Sequence, residues 1–266
     1  MTDLWFDLLD CLELHPADSA GTFMGRNQQL QYHRVFGGQI LAQFLTVARL
    51  TCPDKAVKSL HCLFAKEGRA DEELRYDAQR QHDGRTFATL TISATQSTGV
   101  IATATVAMHA GEDGPDRQTV DDVPAVPGPQ FRRSIGMIPW EIRAETELDD
   151  DGVAAPEYEM WMRTPEVSPD RAPALAAYAT DLTLIGTALR PIPDATQRGA
   201  QSAFASAVTS HTVWFHRPFV TDSWLLLRQH SPILAHSRAF GRGDVLTADG
   251  LLVASYAQES LVRFAQ

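Results

Sequence analysis

Val35-Phe-Gly-Gly-Gln-Ile-Leu-Ala-Gln-Phe-Leu-Thr-Val-Ala-Arg49 reads as a single helix with two glycines, Gly37 and Gly38, at its N-terminal turn. Ile40, Leu41, Ala42, Phe44, Leu45, Val47 and Ala48 cover most of its circumference. Gln39, Gln43 and Thr46 interrupt that surface, and their four-then-three spacing puts them on one narrow stripe. A helix that is apolar nearly all round is buried on nearly all sides. Residues 59–65, 74–80, 86–96 and 100–109 then read as strands. The simplest object with this pattern is a helix wrapped by a curled antiparallel sheet.

Upstream, residues 4–14 predict a short amphipathic helix, and 22–24 and 29–32 predict short strands around Gly25-Arg26-Asn27. Downstream, 110–132 is rich in Pro, Gly and acid and sustains neither helix nor strand. Strands follow at 138–143 and 157–163, then an apolar helix over 172–189 closed by Pro191 and Pro193. The chain ends in strands at 204–215, 224–230, 236–247 and 251–264.

The order of elements therefore repeats, and so does some local text. Ser59-Leu-His-Cys-Leu-Phe64 echoes Ser210-His-Thr-Val-Trp-Phe215, and Arg85-Thr-Phe87 echoes Arg238-Ala-Phe240. A glycine, Gly99 or Gly250, then leads into the last strand of each half. We read a duplicated unit: an N-terminal unit at 1–109, a linker at 110–132 and a C-terminal unit at 133–266.

The 266 residues are 44% hydrophobic, enough for one large domain or two ordinary ones. The net charge of −10, with no Lys/Arg cluster, argues against nucleic acid and against anionic membranes as partners. Cys11, Cys52 and Cys62 form no disulfide framework, and the N-terminus has no basic or apolar leader. No apolar run is read as a membrane span. The expected compartment is the cytoplasm.

Several polar residues stand out against their surroundings. Asp181 is the one charged residue in 172–189. A carboxylate there is either desolvated, which suits a group that orients or deprotonates water, or it lies on a thin solvent stripe with Thr180 and Thr187. Gln258 shares the apolar face of the last strand with Tyr256 and Ser260. A buried amide there is either structural or functional. Gly37 and Gly38 make a tight entry turn or present helix N-terminal amides to a ligand. Thr209-Ser210-His211-Thr212 crowds hydroxyls round an imidazole, but Ser210 and His211 alternate in face and there is no Gly-x-Ser-x-Gly elbow. No metal-ligand spacing, Walker loop or GxGxxG is present.

Val35-Phe-Gly-Gly-Gln39, Asp181-Leu182, Trp214-Phe-His-Arg-Pro-Phe219, Arg242-Gly-Asp244, Asp249-Gly-Leu-Leu-Val-Ala-Ser255 and Gln258-Glu259 together resemble the type II acyl-CoA thioesterase family. The resemblance runs over nearly the whole chain. It implies an α+β double hotdog, two tandem units of a helix wrapped by an antiparallel sheet. It also implies hydrolysis of acyl-CoA in fatty acid and lipid metabolism, CoA as part of the substrate with no further cofactor, and at least a homodimer. Family members hold a water with an Asp, a Gln and a hydroxyl. The Asp maps onto Asp181 and the Gln onto Gln258. The hydroxyl position, three residues before His211, falls on Val208, so Ser210 or Thr209 must serve. In a regular strand Ser210 keeps the face of Val208, and a bulge would turn Thr209 inward. Two alternatives are a non-catalytic acyl-CoA binder and a hotdog hydratase, whose histidine would be His61 or His82.

Overall fold

In a computed structural model, which describes residues 3–17, 19–150, 152–199 and 204–264, two helices lie in the N-terminal part of the chain. α1 (Leu4–Cys11) is capped by Asp3, whose side chain accepts the Trp5 N–H at 2.9 Å. α2 (Gly37–Thr51) is buried at every residue from Gly38 to Ala48, as its apolar circumference requires. Its polar stripe is buried too, and it is fully engaged. Gln39 donates to Asn27 Oδ1 at 2.9 Å and accepts the Gln28 N–H at 2.9 Å. Gln43 donates to the Cys11 and Arg26 carbonyls and accepts from the Tyr76 hydroxyl at 2.7 Å. These bonds tie the N-terminal segments to the helix.

The described residues fall into two units. The first comprises 1–117 with 136–139 and 170–179; the second comprises 118–135 with 140–169 and 180–266. In the first, β1 (His15–Pro16), β2 (Thr22–Gly25), β3 (Ala56–Phe64), β4 (Leu74–Asp83), β5 (Phe87–Gln96) and β6 (Gly99–His109) run antiparallel in the order β1-β2-β4-β5-β6-β3. α2 packs on this sheet. The strand expected at 29–32 is absent. The Gln28 and Gln29 amides donate instead to the side chains of Gln39 and Asp7, so that backbone needs no strand partner.

In the second unit, β7 (Arg132–Arg133), β8 (Glu141–Arg143), β9 (Glu157–Arg163), β10 (Phe204–Phe215), β11 (Leu225–Ala235), β12 (Arg238–Thr247) and β13 (Leu252–Phe264) take the order β10-β13-β12-β11-β9-β8-β7. Both units follow one circuit: the last strand, β6 or β13, lies between the first and third long strands. Each of these last strands is entered through a glycine of positive φ, Gly99 at 102° and Gly250 at 88°. The result is the α+β double hotdog.

The helix expected over 172–189 is two helices, α3 (Ala172–Thr180) and α4 (Leu184–Leu189). The Gln197 amide donates to the Leu182 carbonyl at 2.8 Å and accepts the Gly186 N–H at 2.9 Å. Those two backbone groups are i and i+4, so a side chain occupies a rung that a continuous helix would close itself. The run 169–189 has the length and hydropathy of a membrane span, contrary to the sequence reading. It is nonetheless broken at 181–183, and Leu175, Ala177, Tyr178 and Leu182 are buried, as in a core helix.

Candidate active site

Asp181 sits in the break between α3 and α4 and is 5% exposed. Thr180 and Thr187 are fully buried, so the solvent stripe offered as the plain reading of Asp181 does not exist. Gln258 is buried on β13, with Tyr256 and Ser260 on the same inner face and Glu259 exposed on the other.

Strand register places His211 of β10 directly opposite Gln258. His211 is fully buried and bonded at both ring nitrogens. Gln258 Oε1 is an acceptor only, so the proton lies on His211 Nδ1, which donates at 2.9 Å. Nε2 then accepts from the Thr180 hydroxyl at 3.0 Å. Burial pushes the imidazole down to about 4, against a smaller opposing effect of the Gln258 bond, so the ring is neutral at physiological pH. It lies 6.2 Å from the Tyr256 ring, stacked at 16°. Asp181 Oδ1 is 4.0 Å from His211 Nδ1. Gln258 completes the chain by donating to Ser260 Oγ at 3.0 Å. His211 thus fixes which way the amide points: oxygen toward the ring, N–H groups away from it.

A second layer steadies the first. The Tyr256 hydroxyl donates to Gln229 Oε1 at 3.1 Å, and Gln229 donates to Thr183 Oγ1 at 2.5 Å, next to the Asp181 turn. A Cβ on Gly243 would come within 2.5 Å of the Tyr256 ring, so only glycine lets that ring lie across β12.

The hydroxyls nominated from sequence do not join this network. β10 carries a bulge between Val208 and Ser210. Val208 pairs with buried Ser260, and Ser210 pairs with exposed Glu259. The Thr209 hydroxyl donates to the Glu259 carbonyl at 3.0 Å and to its carboxylate at 2.9 Å. The bulge does not turn Thr209 inward. It keeps Val208 on the face of His211 despite an odd spacing and sends Thr209 and Ser210 to the outer face. Alternation alone pairs Ser210 with Val208 and misses this.

Gly37 and Gly38 belong to the other unit. A Cβ on Gly38 would meet the Phe36 ring and the Tyr178 carbonyl at 2.5 Å, a packing requirement that accounts for this glycine by itself. His61 and His82, the histidines a hydratase would need, are both exposed. Among the described residues no group of His, Cys, Asp and Glu has the arrangement of a metal site. The network's members that sequence reading did not select are His211, Thr180 and Ser260. The signal for Ser260 was present, since alternation puts it on the face of Gln258.

The acyl-CoA thioesterase N-terminal domain family matches residues 27–109, and the acyl-CoA thioesterase C-terminal domain family matches 112–262. The chain is similar to Acyl-CoA thioesterase 2 of Haemophilus influenzae, at 29% identity over 292 residues covering all of both proteins. Among solved structures it is similar to acyl-CoA thioesterase II TesB2 from Mycobacterium marinum. That match has a TM-score of 0.81 and 29% identity and covers 97% of this chain and 99% of that one. A hot dog fold protein from Alicyclobacillus acidocaldarius shares the fold at a TM-score of 0.77 and 20% identity, with 97% and 98% covered.

Proposed function

Because the chain belongs to the acyl-CoA thioesterase family, we propose that it hydrolyses acyl-CoA to free acid and CoA, with Asp181 and Gln258 holding the attacking water. The observation that carries the reading is a buried carboxylate 4.0 Å from the neutral imidazole that bonds a buried amide. Asp181 accepts a proton from the water as its oxygen attacks the thioester carbonyl carbon. The tetrahedral intermediate collapses with cleavage of the C–S bond, and the departing thiolate recovers that proton from Asp181. Gln258, held by His211 with its N–H groups away from the ring, offers only donors on the side of the water and does not compete with Asp181 for its proton.

Free thiol released from short-, medium- and long-chain acyl-CoA tests the reaction. Stoichiometric thiol and acid are expected. Binding without thiol release across the series would leave a non-catalytic binder. We also propose a homodimer, cytoplasmic residence and a role in lipid metabolism. Three buried free cysteines support a reducing compartment. Light scattering checks the dimer, which has about twice the 29.3 kDa chain mass.

A further inference from the structure

Resting on that reading, we infer that Ser260 supplies the hydroxyl that completes the water site, from the strand opposite Val208. The family resemblance puts a hydroxyl at position 208, and valine has none. Register puts Ser260 directly across from Val208, on the same inner face. Directly opposed residues in an antiparallel pair hold their Cβ atoms about 4.5–5.5 Å apart. The hydroxyl has therefore moved by one side chain across the strand pair.

Three further observations select Ser260. It is 2% exposed, so its hydroxyl is a desolvated polar group and not a surface one. Its Oγ accepts from Gln258 Nε2 at 3.0 Å, which places it one hydrogen bond from the amide assigned to the water. With that lone pair used, the Ser260 O–H remains to donate, and no acceptor for it stands among the described hydrogen bonds. The competing hydroxyls are engaged elsewhere: Thr209 on Glu259, and Thr180 on His211 Nε2. In the water site, Asp181 accepts one proton of the water, and Gln258 acts through Ser260: its N–H is bonded to Ser260 Oγ, and the Ser260 O–H donates to one of the water's lone pairs. The other lone pair is then left to face the thioester carbon.

The test is steady-state thiol release by the full chain and four variants. Ser260→Ala is expected to lower kcat roughly tenfold to a hundredfold with KM little moved, the effect of one hydrogen bond lost to a buried group. Ser260→Cys, which keeps the volume but offers a weak donor, should fall with it and stands in if the alanine variant misfolds. Adding Val208→Thr to Ser260→Ala should restore most of the rate by returning a hydroxyl to the same face. A merely structural serine would not be rescued from the opposite strand. Ser260→Ala or Ser260→Cys with a rate within threefold of wild type, or a loss that Val208→Thr does not recover, overturns the assignment of Ser260. Asp181→Asn separates this from failure of the underlying reading. If it loses hydrolysis while Ser260→Ala does not, only Ser260 is wrong. If Asp181→Asn keeps near-normal turnover, the Asp/Gln water is wrong altogether.

Discussion

Val57, Leu60, Val106 and Met108 of the first unit hold the places that Val208, His211, Gln258 and Ser260 hold in the second. In the first, β3 pairs with β6 as Val57 with Met108 and Leu60 with Val106. In the second, β10 pairs with β13 as Val208 with Ser260 and His211 with Gln258. Even the bulge recurs, between Val57 and Ser59 and between Val208 and Ser210, with Lys58 and Thr209 as the extra residues. One backbone circuit therefore supports an apolar core in one copy and a hydrogen-bonded polar cluster in the other. The difference teaches how a duplicated fold carries a polar cluster in one copy alone. The three polar side chains are tolerable because they satisfy one another, and each alone would be a buried orphan. The helices diverge in the same sense. α2 is unbroken and keeps its glutamines in structural bonds, whereas the apolar run 172–189 opens at Asp181.

Removing the charge from that opening is expected to have the largest effect. Asp181→Asn keeps shape and burial and removes the proton acceptor. Hydrolysis should fall roughly 10²–10⁴-fold, measured as thiol release, with the melting temperature little changed. The same kind of exchange in the first unit, Gln43→Leu, strands the Tyr76 hydroxyl and two carbonyls. It should lower stability and not turnover. If the two variants exchanged their phenotypes, the division of labour between the units would be refuted.

Rewriting the second unit's cluster in the first unit's residues sharpens the comparison. His211→Leu, Gln258→Val and Ser260→Met made together should abolish hydrolysis yet fold, because three bonded partners are replaced by apolar groups at once and only the Thr180 hydroxyl loses its ring acceptor. Melting at neutral pH should stay within about 2–4 °C of wild type, roughly 1 kcal/mol at this size. Acid sensitivity should also change. His211 is held at about 4 when folded and has an ordinary value near 6.5, so below pH 6.5 the unfolded chain binds a proton that the folded chain refuses. Stability present above 6.5 is then lost as pH falls toward 4, by about 3 kcal/mol in all. Denaturant titrations from pH 7 to 4 should show that loss in wild type and a shallower one in the triple variant. Equal slopes would mean that His211 is not the group titrating.

Much of this was legible in the sequence. Residue pattern gave β9 and β10 at their observed bounds, because a half-buried strand writes its two faces directly into residue type. Asp181 and Gln258 were visible as polar residues in apolar runs. The helix break was not, because its cause is the Gln197 amide arriving from a later segment. The loop at 29–32 was missed for a similar reason, the Gln28 and Gln29 amides at its start being taken by the Gln39 and Asp7 side chains. The outward turn of Thr209 and Ser210 was missed because one extra residue in β10 reverses the faces of everything before it, and single-sequence periodicity does not register a bulge.

That bulge carries the smallest predicted effect. Thr209 is the extra residue of β10, as Lys58 is of β3, and its hydroxyl is spent on Glu259 at the outer face. Thr209→Lys makes the second unit match the first at this point. The new ammonium would face the Glu259 carboxylate in place of the lost hydroxyl bond. An exposed pair of this kind is worth only about 0–1 kcal/mol, comparable to what is removed. Melting should therefore move by about 2 °C or less. Hydrolysis should stay within about twofold, since nothing on the face of His211 and Gln258 has changed. Thr209→Val, which keeps the branched shape and loses the hydroxyl, should do the same. A tenfold fall in kcat shared by both variants, with stability intact, would mean that Thr209 turns inward during turnover. The hydroxyl at the water would then come from the bulge of β10, and Ser260 would be left with a structural bond to Gln258.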